Sequence, residues 1–381
     1  MKRVTRYKFS IFSIKKSLVL IPFFLALFGC SKNERSSSET TIAVAGTIRL
    51  KGTAKATLSE YGFFKGNIAA QVPVDDVMPY ELNSPLFSDY AHKARFIKFP
   101  EGATVDYKQK EMLDYPRGTT IIKTFYYPND FTNVSKGKKN IETRLLVHEE
   151  KGWAAYSYVW NDAQTDAVYE VAGGRKDISW VHYDGKKRNL NYVIPNVNQC
   201  KGCHTYNGNM VPIGPTARQL NGDFAYHDGT TQNQLLHWEK KGLLRGLPEL
   251  AQVDKAASPN DMKASLEAKA RTYLDINCAH CHREGGPAVT SGYLVDFYQT
   301  NKTKLGYFKG PVAAGRGSGD RKYDLVPGKP DESIIVYRMN STDPGEMMPE
   351  LARKLKHDEG VQLIREWIAS LPEGDGKMAL K

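Results

Sequence analysis

The sequence predicts a multidomain protein, with a mainly β, antiparallel sandwich-like domain first and mainly α segments after it. Three observations carry this. Between residues 45 and 195, short runs rich in β-branched and aromatic residues recur between turn signals. From residue 258 onward, apolar residues repeat at helical spacing. Two C-x-x-C-H runs fall in the second half: Cys200-Lys201-Gly202-Cys203-His204 and Cys278-Ala279-His280-Cys281-His282.

Residues 1–29 read as an export signal. Lys2, Arg3, Arg6, Lys8, Lys15 and Lys16 precede the apolar run Leu18 to Phe28. That run is about half the ~20 residues a spanning helix needs. It ends Leu27-Phe28-Gly29-Cys30, which resembles a bacterial lipobox, with Phe28 a bulky departure from it. Cys30 is therefore expected to be lipidated. The alternative is an ordinary signal peptide with a free thiol. A lipidated chain would be held to a membrane without crossing it. The expected place is the periplasmic side of a bacterial membrane. Ser31 follows Cys30 with no acidic residue beside it, which by resemblance to enteric sorting rules points to the outer membrane.

The formal charge is +11, and residues 1–29 hold six Lys/Arg and no Asp/Glu, so the remainder stands at +5. No basic stripe with aromatic partners is present, and nucleic acid is not an expected partner. Residues 30–44 are polar and Ser-rich and read as a flexible tether.

The β-rich domain is expected over 45–195. Its runs are Ala94 to Phe99, Thr119 to Tyr127, Thr143 to His148 and Trp153 to Trp160, with turn signals at Pro100-Glu101-Gly102, Pro116-Arg117-Gly118, Pro128-Asn129-Asp130 and Gly173-Gly174. Its length suffices for its own core. His92, His148 and His182 stand alone in it and read as structural.

C-x-x-C-H is the attachment pattern of a c-type haem. Two thiols on one helical turn reach the two vinyl groups of a porphyrin, and the following His falls under the iron. Half a zinc site, a redox dithiol and a disulfide are the alternatives. Zinc wants four ligands, and a dithiol needs no following His. Five cysteines are present, four in the motifs and the fifth at Cys30. Two covalently bound haem c groups are thus expected. Cys200, Cys203 and His204 would hold one; Cys278, Cys281 and His282 would hold the other.

The first haem segment is placed at 196–257. No amphipathic helix leads into Cys200. The run Val211-Pro212-Ile213-Gly214-Pro215 resembles small cytochromes c, where a proline carbonyl accepts a hydrogen bond from the proximal His. The resemblance gives that role to Pro215. Thr231 to Leu243 reads as a helix, and His237 on it is the expected distal iron ligand. Met210, Met262 and an open site are the alternatives.

The second haem domain is placed at 258–373. A helix over Lys263 to Asn277 feeds into Cys278, and a second amphipathic helix spans His357 to Leu371. Met348, in Met347-Met348-Pro349, lies 66 residues after His282. Its soft thioether makes it the expected distal ligand, with Met347 as fallback.

The run Cys278 to Ala288, with Met348-Pro349 and Leu363 to Ile368, resembles the bacterial cytochrome c domain superfamily. Asn83 to Tyr90, Lys123-Thr124-Phe125, Glu142 to Val147, Pro212 to Pro215 and Asn233-Gln234-Leu235 resemble a family of exported dihaem lipoproteins of poorly known function. The likeness covers residues 45–373. It implies haem binding and electron transfer with redox partner proteins of the cell envelope, and no substrate. Two other readings stay open: a peroxidase- or dehydrogenase-like haem enzyme with an open site at the first haem, and a substrate-binding β-domain with the haems as electron outlet.

Overall fold

The centre of the fold is a six-stranded antiparallel meander, in which each strand pairs with the next in sequence. A computed structural model describes residues 54–351 and 353–374; the expected signal, tether and Cys30 lie outside the described residues. The strands are β1 (Val77–Pro79), β2 (His92–Lys98), β3 (Thr120–Pro128), β4 (Lys138–Glu149), β5 (Gly152–Trp160) and β6 (Ala167–Tyr169). The alternation read from the sequence sets the two faces. Phe96, Ile122, Leu145, Tyr158 and Trp160 turn to one face, where Leu58, Phe63 and Phe64 cover them. The other face has three bands. Ile97, Ile121 and Leu146 meet Trp238 and Leu235 at one end. Phe125 and Tyr127 meet Trp180 and Tyr192 at the other. Arg95, Lys123 and Arg144 lie between them.

Here the fold departs from a sandwich. The second layer is one hairpin, β7 (Gly174–Val181) and β8 (Lys187–Ile194), rather than a second sheet. Its apolar residues suffice to cover one end of the meander, and the chain then leaves for the first cysteine motif.

Six helices follow: α1 (Val197–His204), α2 (Ala217–Leu220), α3 (Gln234–Lys240), α4 (Leu266–Asn277), α5 (Ile334–Asn340) and α6 (Asp358–Ser370). Ser265 caps α4 by accepting from the Ala268 amide at 3.1 Å. The expected helix from Thr231 is shorter. Thr231–Asn233 pairs as a strand with Asp223–Ala225, and Asn233 then caps α3. Trp367, Ile364 and Ile368 of α6 pack on Leu274 of α4 and Val336 of α5.

The segments expected as separate domains are not set apart. The described residues, 54–351 and 353–374, fall in one compact unit. Among the described residues, polar contacts link the segments expected at 45–195 and 196–257 to the one expected at 258–373. The Phe87 amide donates to Asn277 Oδ1 (2.8 Å), and the amides of Lys354 and Leu355 donate to Asp89 Oδ1 (2.7 Å each). Arg218 of α2 forms a buried ion pair with Asp275 of α4 (2.6 Å).

Candidate haem site

The first motif occupies the last turn of α1. Asn196 and Gln199 form a capping box that fixes where the helix starts, so Cys200 and Cys203 project from one turn and His204 ends it. After His204 the chain reverses at once. Thr205–Tyr206 pairs with Asn209–Met210 across Asn207 and Gly208, both at positive φ (47° and 77°). This two-residue Asn-Gly hairpin returns Val211 beneath His204. The Val211 carbonyl accepts from His204 Nδ1 at 2.8 Å. The second motif continues from the end of α4, where the His282 amide donates to the Cys278 carbonyl at 2.9 Å. His282 Nδ1 donates to the Tyr293 carbonyl at 3.0 Å. Each motif histidine thus commits Nδ1 to a backbone oxygen and keeps Nε2 for a metal, as metal-bound histidines do. Burial holds both imidazoles well below the usual range, at about 4, so both are neutral at pH 7 and able to ligate.

The two motifs touch. The Sγ atoms of Cys203 and Cys281 and a ring nitrogen of His280 lie within 4.8 Å of one another. Cys281 Sγ is 3.7 Å from the Gly202 carbonyl, the Asn207 amide donates to Gly285 O (2.8 Å), and Arg283 covers the Tyr206 ring (4.2 Å). Gly285 takes φ +73°, and a Cβ on Gly286 would collide with the Cys281 carbonyl; the tight loop after the second motif requires both glycines.

One large cavity borders both motifs. Its unfilled space, open mouth included, is ≈ 2170 Å³. Cys200, Cys203 and His204 line it from one side and Cys278 and His280 from another, with the middle of the sheet as a third wall. Met348 lines it too, beside the buried Met347 and Met339. His282 and Cys281 are not among the lining residues; His282 is buried behind the wall at 8% exposure. All four motif cysteines are free thiols. Burial pushes the Cys278 thiol up to about 12.

The residues of the first motif fit haem c on the structure's own terms; of the second motif's attachment and ligand residues, only Cys278 borders the cavity. Paired free thiols stand beside a histidine whose Nε2 is uncommitted. The cavity walls mix apolar and charged side chains, and among the residues that line it His280 Nδ1 and two nitrogens of Arg95 are buried without partners.

Two expected residues are placed elsewhere. Pro215 is not the acceptor for His204: its carbonyl accepts from Tyr115 Oη at 2.8 Å, and the Asn-Gly hairpin brings Val211 to His204 first. His237 does not line the cavity. It is buried against Tyr226, ring centroids 3.8 Å apart, and its Nδ1 is hydrogen-bonded to Gln232. The helix position was right, but α3 turns that face into the apolar layer at the end of the sheet. Met262 is 92% exposed. Sequence reasoning assigned no role to Val211, Tyr293 and His280, nor to Arg95, Lys123 and Arg144 of the sheet. Val211 had a local signal, the Asn207-Gly208 turn, and Lys123 and Arg144 lay in runs that were read as strands and that carry a resemblance.

Comparison of the chain with family models, curated proteins and solved structures finds no match.

Proposed function

We propose that the protein is a lipid-anchored dihaem c-type cytochrome that carries single electrons in the bacterial cell envelope. The observation that supports it most is that Cys200, Cys203 and His204 of the first motif and Cys278 of the second border one cavity, while His204 and His282 each place Nδ1 on a backbone carbonyl. Haem c, when bound, supplies an iron that cycles between Fe(III) and Fe(II). Cys200, Cys203 and His204 would hold one group, and Cys278, Cys281 and His282 the other. Met348, on a loop between α5 and α6 and lining the cavity, would supply a thioether ligand to the second. On this reading α4, the second motif, the Met348 loop and α6 are a cytochrome c-type arrangement joined to the sheet. The signal at 1–29 and lipidation at Cys30 place the chain on the periplasmic side of a membrane, where maturation of haem c occurs and where redox proteins would be its partners.

The cluster of Cys203, His280 and Cys281 favours a second reading, a three-ligand site for a soft metal such as zinc. It uses thiols that haem attachment consumes, so the two readings exclude each other. Mass spectrometry of protein matured with the haem attachment machinery decides. Two added haems are expected, and Met348→Ala is expected to abolish the long-wavelength Met–iron band while leaving the mass gain intact. A haem-free chain that binds one zinc, lost in Cys203→Ser, would replace the cytochrome reading. A high-spin first haem that takes up cyanide would turn it toward an enzyme.

A further inference from the structure

The middle of the sheet holds a row of cations that no apolar core needs. Register sets Arg95 on β2 opposite Lys123 on β3, and Lys123 opposite Arg144 on β4. All three side chains border the cavity. Arg144 is satisfied: its Nε and Nη2 grip the carboxylate of the fully buried Glu142, which also accepts from Tyr192 and Ser157. Arg95 is not. It is 4% exposed, and its Nη1 donates to Glu81. Its Nε and Nη2, the same edge by which Arg144 and Arg218 hold carboxylates, are buried without partners. Lys123 has no carboxylate within ion-pair distance among the described residues; its ammonium lies 4.9 Å from the Phe125 ring centroid.

The charges around the row do not balance. Arg95, Lys123, Arg144 and the neighbouring Lys93 face Glu81, Glu142 and Asp89. Burial, then Arg95, Lys93 and Arg144, hold the Lys123 amine well below the usual lysine range. Burial, then Arg95, holds Lys93 down to about 7. Unused buried donors and uncompensated cations are costly, and a planar anion with two acceptor oxygens offsets both. A guanidinium edge matches a carboxylate bidentately, and an ammonium adds a point charge beside it.

We propose that Arg95 and Lys123, with the Glu142-paired Arg144 beside them, form a carboxylate-binding site on the cavity wall facing α1. The occupant rests on the dihaem reading: propionate carboxylates of the haem held by Cys200 and Cys203. The sheet is then a wall of the haem pocket, and it sets the charge the iron feels. The competing source of the same chemistry is a free dicarboxylate.

The test is a spectroelectrochemical titration of the haem-loaded protein and its Lys123→Gln and Arg95→Gln variants, with mass spectrometry on each. A nearby cation favours the less positive, reduced iron. Lys123→Gln is expected to lower one of the two potentials, reducing the reduced-to-oxidised ratio about tenfold at fixed potential, ~59 mV for one electron. Lys123→Arg is expected to restore it. Lys98→Gln, on the opposite face of β2, is expected to change nothing. Arg95→Gln gives the same readout should Lys123→Gln fail to fold. Unmoved potentials in variants that carry two haems overturn the inference. Saturable calorimetric binding of succinate to wild type, lost in Lys123→Gln with both potentials unmoved, gives the row to a free dicarboxylate and overturns the propionate assignment. A wild type without haem fails the dihaem reading itself, a result the mass reports separately, and the propionate assignment falls with it.

Discussion

The two C-x-x-C-H motifs are chemically alike and physically unlike. The first sits on a capped helix of eight residues with none of them fully buried, against the charged middle of a β-sheet. The second ends a twelve-residue helix inside an apolar cluster that includes Trp367, Leu274 and Val295, with methionines close by. Both surroundings achieve the same local result, a histidine with Nδ1 on a carbonyl. They reach it by different routes: a two-residue hairpin in one case and an eleven-residue excursion to Tyr293 in the other. On the dihaem reading, the motif would fix the attachment chemistry and the wall around it would be free to differ. A cationic wall and a thioether wall shift an iron potential by different physics, one through charge and the other through the ligand.

The largest expected effect concerns acid. His204, His282 and His357 all stand at about 4 in the folded chain, lowered chiefly by burial, against about 6.5 when unfolded. Between those values the unfolded chain binds more protons, so stability falls as pH drops from about 6.5 and the loss is complete below about 4. Each histidine contributes on the order of 3 kcal/mol. In haem-loaded protein, iron takes the place of the proton on His204 and His282, and only His357 remains to titrate. Denaturant curves across that window are expected to be much flatter for the loaded than for the haem-free chain. Equal slopes would mean that neither imidazole ligates iron.

The next effect tests whether the two surroundings are one body. Arg218 and Asp275 are both buried, and the pair joins the first-motif segment to the helix that carries the second. Arg218→Ala leaves a buried carboxylate with only the Phe297 amide (3.0 Å), at a cost of about 3–5 kcal/mol. Chemical unfolding followed at the haem and by far-ultraviolet circular dichroism is expected to give one shared transition at lower denaturant. Two separate transitions would restore the independent domains expected at 45–195, 196–257 and 258–373.

Much of this was legible in the sequence where a short local pattern determines the structure. The alternation in Thr119 to Tyr127 gave β3, and the apolar spacing of Val361, Ile364, Trp367 and Ile368 gave α6. The Cys-His spacing gave the candidate ligands. What stayed hidden depends on where distant chain segments pass. Pro215 and His237 were assigned by offset from the motif, and an offset does not say which way a loop turns or which face a helix presents. Arg95, Lys123 and Arg144 fall in runs read only as strands or, for Lys123 and Arg144, also for a resemblance. They become a row only through the register of three strands spread over fifty residues. The hairpin β7–β8 lay within the span expected as sandwich-like but was not among the runs read as strands, and periodicity does not count the layers it will form.

The smallest effect is the most specific, because it separates the two candidate acceptors for His204. Tyr115→Phe removes only the hydroxyl that donates to the Pro215 carbonyl. Phe fills the same space between Phe99 and Trp153, so the expected cost is about 1 kcal/mol, that of one hydrogen bond. If Val211 alone orients His204, neither haem potential nor either spectrum moves in this variant. His237→Phe, which keeps the stacking on Tyr226, should be equally silent at the haems. A shift of one haem in Tyr115→Phe would mean that the Pro215 carbonyl, once free of Tyr115, competes for His204. One hydroxyl would then decide which of two carbonyls, Val211 or Pro215, holds His204.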